Sequence, residues 1–142
     1  MYKFSSHSLE QLATVHPDLQ YLAHEAMKSQ IMDFRVVEGA RTLDRQKQLV
    51  ADGKSRTMKS KHLVQDDGYS HAMDLYPYPV DMEQVHRGNS KEVFRFGVLA
   101  GIIHSIAKRN KIVVVNGADW DSDGETLDHT FFDAPHFQLV KM

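Results

Sequence analysis

The amino-acid sequence predicts an α+β fold, and three observations lead to this class. Predicted helices and strands do not alternate regularly along the chain, as they would in a doubly wound sheet. The 142 residues are the length of one ordinary domain, so we expect residues 1–142 to form a single unit. Hydrophobic residues make up 42% and charged residues 25% of the chain, which is typical of a packed domain and unlike a disordered one.

Two helices and a strand are predicted in the N-terminal third. Ser8, with Gln11 placed for a capping box, is expected to cap the first helix, and Pro17 suits the first position of the second. The second helix has apolar residues spaced for one buried face, namely Leu19, Leu22, Ala23 and Ala26. Residues 34–37 then predict a short strand, because β-branched and aromatic side chains dominate there.

The middle of the chain predicts a helix, a long loop and a strand. Residues 39–42 indicate a turn into a third helix, which Gly53 is expected to end. Residues 54–69 are polar and rich in Ser, Lys, Asp and Gly, so an exposed loop is expected. Residues 72–75 predict a strand that two prolines would stop, Pro77 and Pro79.

The C-terminal third predicts the longest helix and two strands. Residues 92–110 carry a wide apolar stripe, which indicates a central buried helix. The stripe comprises Val93, Phe94, Phe96, Leu99, Ala100, Ile102, Ile103, Ile106 and Ala107. Residues 111–116 and 137–140 predict strands on either side of a polar loop at 117–130, and His136 stands at the start of the last strand.

Charge and composition exclude several classes of function. The net charge is −2, so the basic footprint of a nucleic-acid binder is absent. The chain has no cysteine, so a transition-metal site must use histidine and carboxylate ligands. The first residues lack the apolar core of a signal peptide, and no apolar run is long enough to span a bilayer. We therefore expect a protein made in the cytoplasm, without membrane insertion, acting as a monomer.

Two segments carry a candidate metal site. His62 and Asp74 flank the first segment, and Asp133 and His136 belong to the second. Zinc hydrolases use three His or carboxylate ligands and keep one position open for water, and His62, Asp74 and His136 can supply such a set. A further group must accept the proton of that water, and Asp133 lies three residues before His136. Spacing alone is weak evidence, because such a pattern also arises by chance.

The same residues resemble the signatures of the D-Ala-D-Ala carboxypeptidase/VanY group of peptidoglycan peptidases, and especially the phage L-alanyl-D-glutamate endopeptidases that serve as endolysins. The first signature is Ser-x-His followed by Gly-x-Ala-x-Asp, and the second is Asp-x-x-His before a short strand. Matching residues are Ser60, His62, Ala72 and Asp74 for the first, and Asp133 and His136 for the second. Residues 39–42 (Gly-Ala-Arg-Thr), 4–19 and 117–120 (Gly-Ala-Asp-Trp) are also similar to this group, so the resemblance covers nearly the whole chain in order.

The resemblance implies a hedgehog/DD-peptidase-like zinc peptidase fold with a small antiparallel sheet. It implies that His62, Asp74 and His136 hold zinc, and that Asp133 is the catalytic base. Arg41 looks like the arginine that binds substrate and steadies the developing oxyanion; alternatively it is a surface arginine paired with Asp44 or Glu38. The implied activity is hydrolysis of the L-alanyl-D-glutamate bond in the stem peptide of bacterial peptidoglycan. A phage endolysin of this kind would reach the wall once a holin permeabilises the membrane.

The sequence departs from this pattern between the first two ligands. About five residues, near 64–68, appear inserted, and Ser70 stands where the group prefers glycine. His71 is a competing ligand, but on a strand it and Asp74 would point to opposite faces, so we assign His71 to the wall of the substrate cleft. Ser60 is a second candidate for the cleft wall, where its hydroxyl would orient a ligand.

A second metal and two rival functions stay open. Asp119, Asp121 and Asp123, followed by Gly124, have the start of a calcium loop, although Thr130 replaces the closing glutamate. One rival is a D,D- or L,D-carboxypeptidase with the same zinc chemistry, which would need a group to grip a terminal carboxylate. The other is a non-catalytic binding domain with structural zinc, against which the presence of Asp133 argues.

Overall fold

A computed structural model describes residues 1–55, 57–117 and 133–140 of the chain. In chain order the elements are α1 (Ser6–Leu12), α2 (Pro17–Lys28), β1 (Phe34–Glu38), α3 (Leu43–Ala51), β2 (Ala72–Pro77), α4 (Met82–His86), α5 (Ser90–Arg109), β3 (Val114–Gly117) and β4 (Asp133–Leu139). Helices pack on a small sheet, which confirms the predicted α+β class. None of the helices in the described ranges has the length and apolar character that crossing a membrane requires.

Within the described residues, four strands form one antiparallel sheet in the order β1-β2-β4-β3. The last strand in sequence therefore lies between two earlier ones. In the β2–β4 pair, Asp74 is directly opposite His136. This register brings two predicted ligands together although 61 residues separate them in the chain.

One face of the sheet packs against α2 and α5 to form the core. The predicted apolar face of α2 is fully buried, and the strand residues Phe34, Leu75 and Phe137 belong to the same buried cluster. On α5 the buried side chains are Phe96, Leu99, Ile103, Ile106 and Ala107. Val93 is only partly buried and Phe94 is 70% exposed, so the predicted stripe was too wide at the start of the helix.

The structure corrects three local predictions. Ser8 does not cap α1; Ser5 does, and Ser8 is fully buried with its hydroxyl accepting a hydrogen bond from the Val36 amide of β1. Strand β2 runs through Pro77 instead of ending before it. In the described residues β2 pairs with β4 only from Ala72 to Asp74, so Pro77 pairs with β1 alone and stands at an edge, where proline is tolerated. Strand β4 begins at Asp133, four residues earlier than predicted, so the candidate base belongs to the sheet.

Candidate metal centre and catalytic cleft

His62, Asp74 and His136 converge on one point of the structure. His62 lies in the loop between α3 and β2, whereas Asp74 and His136 are paired residues of the two central strands. The Asp74 Oδ1 atom is 3.1 Å from His62 Nε2 and 3.3 Å from His136 Nδ1. Both imidazoles are buried, with 2% and 7% exposure.

The far nitrogen of each imidazole is held by a carbonyl oxygen. His62 Nδ1–H donates to the backbone carbonyl of Gly39 at 2.8 Å, and His136 Nε2–H donates to the side-chain oxygen of Gln138 at 2.9 Å. These bonds fix the tautomers, so in the neutral rings the lone pairs of His62 Nε2 and His136 Nδ1 both face the Asp74 carboxylate. These two nitrogens and the Asp74 oxygen would repel one another, and a cation bound between them would remove that repulsion.

A zinc ion fits this arrangement. With bonds of about 2.0–2.1 Å, neighbouring ligand atoms of a tetrahedral ion lie about 3.3–3.4 Å apart. The two distances from Asp74 are close to that value, and the three ligand atoms all lie within 4.8 Å of one another. Two neutral imidazoles and one carboxylate are also a donor set that zinc prefers.

Asp74 is ionised in this environment. Its burial raises the pKa, but hydrogen bonds from His136 and His62 and their positive charge outweigh burial, so the pKa lies well below the usual range. Burial lowers the pKa of His136, whereas its bond to Asp74 raises it, and the net pKa is raised. The folded structure therefore favours the ionised carboxylate at Asp74, which is the form that binds a metal ion.

The turn after β1 positions His62. Gly39 packs so tightly against α1 that a Cβ atom would collide with the Gln11 carbonyl and the Thr14 hydroxyl. The Gly39 amide donates to the Gln11 side chain at 3.0 Å, and the Arg41 amide donates to the His62 carbonyl at 2.8 Å. The imidazole and the backbone of His62 are thus both tied to this turn.

Asp133 lies on the same cleft as the cluster. Its burial and the negative charge of Asp74 raise its pKa above the usual value, although the charges of His136, His62 and Arg41 oppose this. It faces Gly117 across the β3–β4 pair, where a Cβ atom on Gly117 would collide with the Asp133 carbonyl. Glycine at 117 therefore permits the close approach that places this carboxyl group.

Arg41 lines the cleft and is held by two side chains. Its Nε and one Nη donate to the two carboxylate oxygens of Glu38 at 2.8 and 3.0 Å. The other Nη donates at 2.8 Å to Gln46, which is fully buried on α3. Arg41 is therefore paired with Glu38, as the alternative interpretation expects, but its side chain is only 9% exposed, so it is not a surface arginine. Its part in binding substrate stays a prediction. Burial raises the pKa of Glu38, but the hydrogen bond from Arg41 and its charge outweigh burial, so the pKa of Glu38 is lowered overall.

The cleft has a volume of about 560 Å³ and a cationic wall. Lys54, Lys59 and Lys61 line it on the side of the long loop. Ser60 lies between them, and its hydroxyl accepts a hydrogen bond from the His62 amide at 3.1 Å. The Ser60 hydroxyl thus contacts the backbone of the candidate ligand His62, not its imidazole.

Sequence reasoning missed two of the residues that orient this site. Gln46 and Gln138 hold Arg41 and His136, but a single glutamine in a polar helix or near a chain end gives no pattern to read. From the sequence, Glu38 is expected only as a partner of a surface Arg41. A polar residue at a position that helical periodicity predicts to be buried is the one signal available for Gln46.

Two predicted groups are not brought into this cleft. His71 does not belong to the cleft lining among the described residues; its Nε2–H donates to Asp67 at 2.7 Å, on the other side of the loop. The structure therefore does not bring His71 to the substrate wall where the sequence places it, since its neighbours are Asp67 and His16. The candidate calcium residues Asp119, Asp121 and Asp123 lie outside the described residues.

Comparisons with known proteins identify the family of this chain. The model of the phage L-alanyl-D-glutamate peptidase family matches residues 1–140. The L-alanyl-D-glutamate peptidase of Escherichia phage T5 is 31% identical over 148 residues, covering 98% of each chain. The crystal structure of the Serratia marcescens L-Ala D-Glu endopeptidase ChiX superposes with a TM-score of 0.70 at 27% identity, covering 97% of this chain and 90% of that one. The chain belongs to the phage L-alanyl-D-glutamate peptidase family.

Proposed function

We propose that this protein is a zinc-dependent endopeptidase that hydrolyses the L-alanyl-D-glutamate bond in the stem peptide of bacterial peptidoglycan. One observation carries the proposal: a His–Asp–His cluster with metal-ligand spacing shares a cleft with a carboxyl group of raised pKa. Family membership supports the identity of the bond, since the relatives named above are L-alanyl-D-glutamate peptidases.

His62 Nε2, Asp74 Oδ1 and His136 Nδ1 would hold the zinc ion. When bound, zinc supplies Lewis acidity that polarises the scissile carbonyl and makes water a nucleophile at neutral pH. The bonds from His62 to Gly39 and from His136 to Gln138 keep both imidazoles aimed at the ion.

Asp133 would act as the general base and then as the general acid. Its carboxylate takes a proton from the attacking water and returns it to the leaving amine of D-glutamate. A carboxyl group is a better proton carrier when its pKa is nearer to the working pH, and burial beside Asp74 shifts Asp133 in that direction.

Arg41 would bind the carbonyl oxygen as it gains charge. A guanidinium donates along fixed directions and stays charged, and Glu38 and Gln46 hold it so that little reorientation is needed. Losing one donor of this type typically costs about 3 kcal/mol of transition-state stabilisation. The lysine wall supports the choice of substrate, since a glutamate residue brings a carboxylate into the cleft.

The biological role that follows is lysis of the host cell. The substrate lies outside the cell membrane, so a phage enzyme of this family would act after a holin or similar protein permeabilises that membrane. The family relationship supports this part of the proposal.

The test is mass spectrometry of purified peptidoglycan after digestion by the protein. We expect new L-Ala and D-Glu termini, which disappear with a chelator and return with zinc. In the Asp133→Asn variant kcat should fall by about 10²–10⁴-fold, the range for a lost general base, while zinc binding is kept. Asp66→Asn makes the same chemical change at an exposed site outside the cleft and should leave kcat unaltered.

Three outcomes would contradict the proposal. Release of terminal D-Ala alone would identify a carboxypeptidase. Absence of cleavage by a zinc-loaded sample would identify a binding domain on a peptidase scaffold. Full activity of Asp133→Asn would leave the endopeptidase in place but assign the proton transfer to another group.

A further inference from the structure

A second His–Asp–His cluster lies outside the cleft, formed by His16, Asp67 and His71. One ligand atom from each residue lies within 4.8 Å of the other two. The Asp67 Oδ2 atom is 2.7 Å from His71 Nε2 and 3.8 Å from His16 Nε2. The two imidazole centroids are 5.2 Å apart, close to the 5.0 Å between His62 and His136. The donor set and the layout therefore repeat those of the candidate catalytic centre.

Backbone hydrogen bonds hold the main chain at His16 and at His71. The His16 amide donates to the Ser70 carbonyl at 2.9 Å, and the Ser70 amide donates to the Thr14 carbonyl at 3.1 Å. The His71 carbonyl accepts from the Leu139 amide at 2.9 Å, at the end of β4. Ser70 is itself fully buried. The positions of His16 and His71 are thus fixed by the fold and do not depend on a ligand.

Asp67 reaches the pair from a tight turn in the long loop. The turn is closed by the Gln65 amide, which donates to the Tyr69 carbonyl at 2.9 Å, and Gly68 takes a φ of +85° that favours glycine. The Tyr69 amide donates to Asp67 Oδ1 at 3.1 Å. One carboxylate oxygen is therefore used to build the turn, while the other, Oδ2, faces both histidines.

Metal binding needs a proton rearrangement that the structure can accommodate. His16 Nδ1 now accepts the amide hydrogen of Asp18 at 3.0 Å, which caps α2. A metal ion at Nε2 would place the ring proton on Nδ1 instead, so the bond from the Asp18 amide would break and that exposed amide would be left to solvent. The Asp18 carboxylate is 3.9 Å from Nδ1, so a small side-chain rotation would let it accept the proton, as carboxylates do behind many metal-bound histidines.

We propose that His16, Asp67 and His71 bind a second divalent transition-metal ion, with zinc as the expected ion. Two imidazoles exclude calcium and magnesium as preferred ions, since these take oxygen ligands. The two distances from Asp67 bracket the spacing of about 3.3–3.4 Å expected between tetrahedral ligand atoms, so shifts of about half an ångström would form the site. Asp67 is exposed and the histidines are partly exposed, so this ion binds more weakly than one in the buried cluster.

The ion would fasten the long loop to the rest of the molecule. The His71 amide donates to the Lys61 carbonyl at 2.9 Å, directly before the candidate ligand His62. Fixing Asp67 to His16 and His71 therefore restrains the segment that carries His62. The cluster stands on its own residues, so this inference is independent of the proposed function.

The decisive measurement is zinc stoichiometry by equilibrium dialysis of the whole protein, followed by elemental analysis, with excess calcium present to fill any oxygen-only site. We expect two zinc ions per wild-type chain and one per chain in Asp67→Asn and in His71→Gln. Asparagine keeps the oxygen that accepts from Tyr69, so the turn is preserved while the anionic ligand is lost. Asp66→Asn, next in sequence and exposed, is the matched control and should keep two ions.

A melting series separates the two sites. In His136→Gln, which lacks one ligand of the cleft cluster, zinc should still raise Tm. Adding Asp67→Asn should abolish that rise, whereas adding Asp66→Asn should not. Equal zinc stoichiometry in the wild type, in Asp67→Asn and in His71→Gln would overturn the proposal. A loss of one ion in both variants supports it whether or not the cleft cluster also binds zinc.

Discussion

Gln138 offers a direct test of how the candidate zinc site is built. Its side-chain oxygen accepts the Nε2–H of His136 at 2.9 Å, which leaves Nδ1 as the ligand atom. Gln138→Met keeps the length of the side chain but removes the acceptor. Losing such an outer partner of a metal-bound histidine typically weakens metal affinity 10–100-fold, which is about 1.4–2.7 kcal/mol. We therefore expect the zinc Kd of the cleft site to rise by that factor.

A charged acceptor at the same position should have the opposite effect. Gln138→Glu retains an oxygen for His136 and makes the imidazole more electron-rich, so its zinc Kd should equal or fall below that of the wild type. The assay is competition for zinc against a chromophoric chelator, in an Asp67→Asn background so that one cluster alone is titrated. Equal Kd values in the Met and Glu variants would refute the idea that this hydrogen bond sets the ligand tautomer.

Three further changes test the cleft. Gly117→Ala should lower the free energy of unfolding by about 1–3 kcal/mol and reduce kcat, because the new methyl group collides with Asp133. Gly97→Ala on α5 is the control, since its methyl group meets open space and should not destabilise the protein. Denaturant titration and kcat are measured for both variants, and equal effects would contradict the close-approach argument. Glu38→Gln should reduce the loss of stability at acid pH. The pKa of Glu38 in the folded protein lies below its unfolded value of 4.5, so its contribution to stability is complete above pH 4.5 and is lost as the pH falls through the folded pKa. Plots of unfolding free energy against pH that run parallel for wild type and variant across that range would disprove this. Arg41→Lys should lower kcat by about 10²-fold with unchanged zinc stoichiometry, since lysine keeps the charge but lacks the planar guanidinium that Glu38 orients. A wild-type kcat in this variant would show that Arg41 takes no part in the reaction.

Local patterns predicted most of the elements because each depends on neighbours in the chain. The apolar spacing of α2, the proline at its first turn and the β-branched residues of β1 are local signals, and the structure confirms them. The cap of α1 was misassigned for the same reason, since Ser5 and Ser8 both suit the position. Only the contact between Ser8 and Val36 of a distant strand decides between them.

The candidate site depends on information that local patterns do not contain. The proximity of Asp74 and His136 follows from the β2–β4 register, which joins segments far apart in the chain. The placement of His71 illustrates the limit. His71 lies just before β2, so strand alternation does not decide its direction, and no sequence pattern indicates that Asp67 and His16 meet it. Pairings of this kind arise from tertiary packing.

The position of β4 in the middle of the sheet has a consequence for synthesis of the protein. β4 is the last strand in chain order, yet it separates β2 from β3 and supplies both His136 and Asp133. When only the residues up to β3 have been synthesised, the edge of β2 that later pairs with β4 is still open, and the cleft lacks Asp133 and His136. Contacts between such distant segments form late because long loops must close first. Because Asp133 and His136 both belong to β4, the candidate metal centre and the candidate base are complete only after this strand has paired with β2.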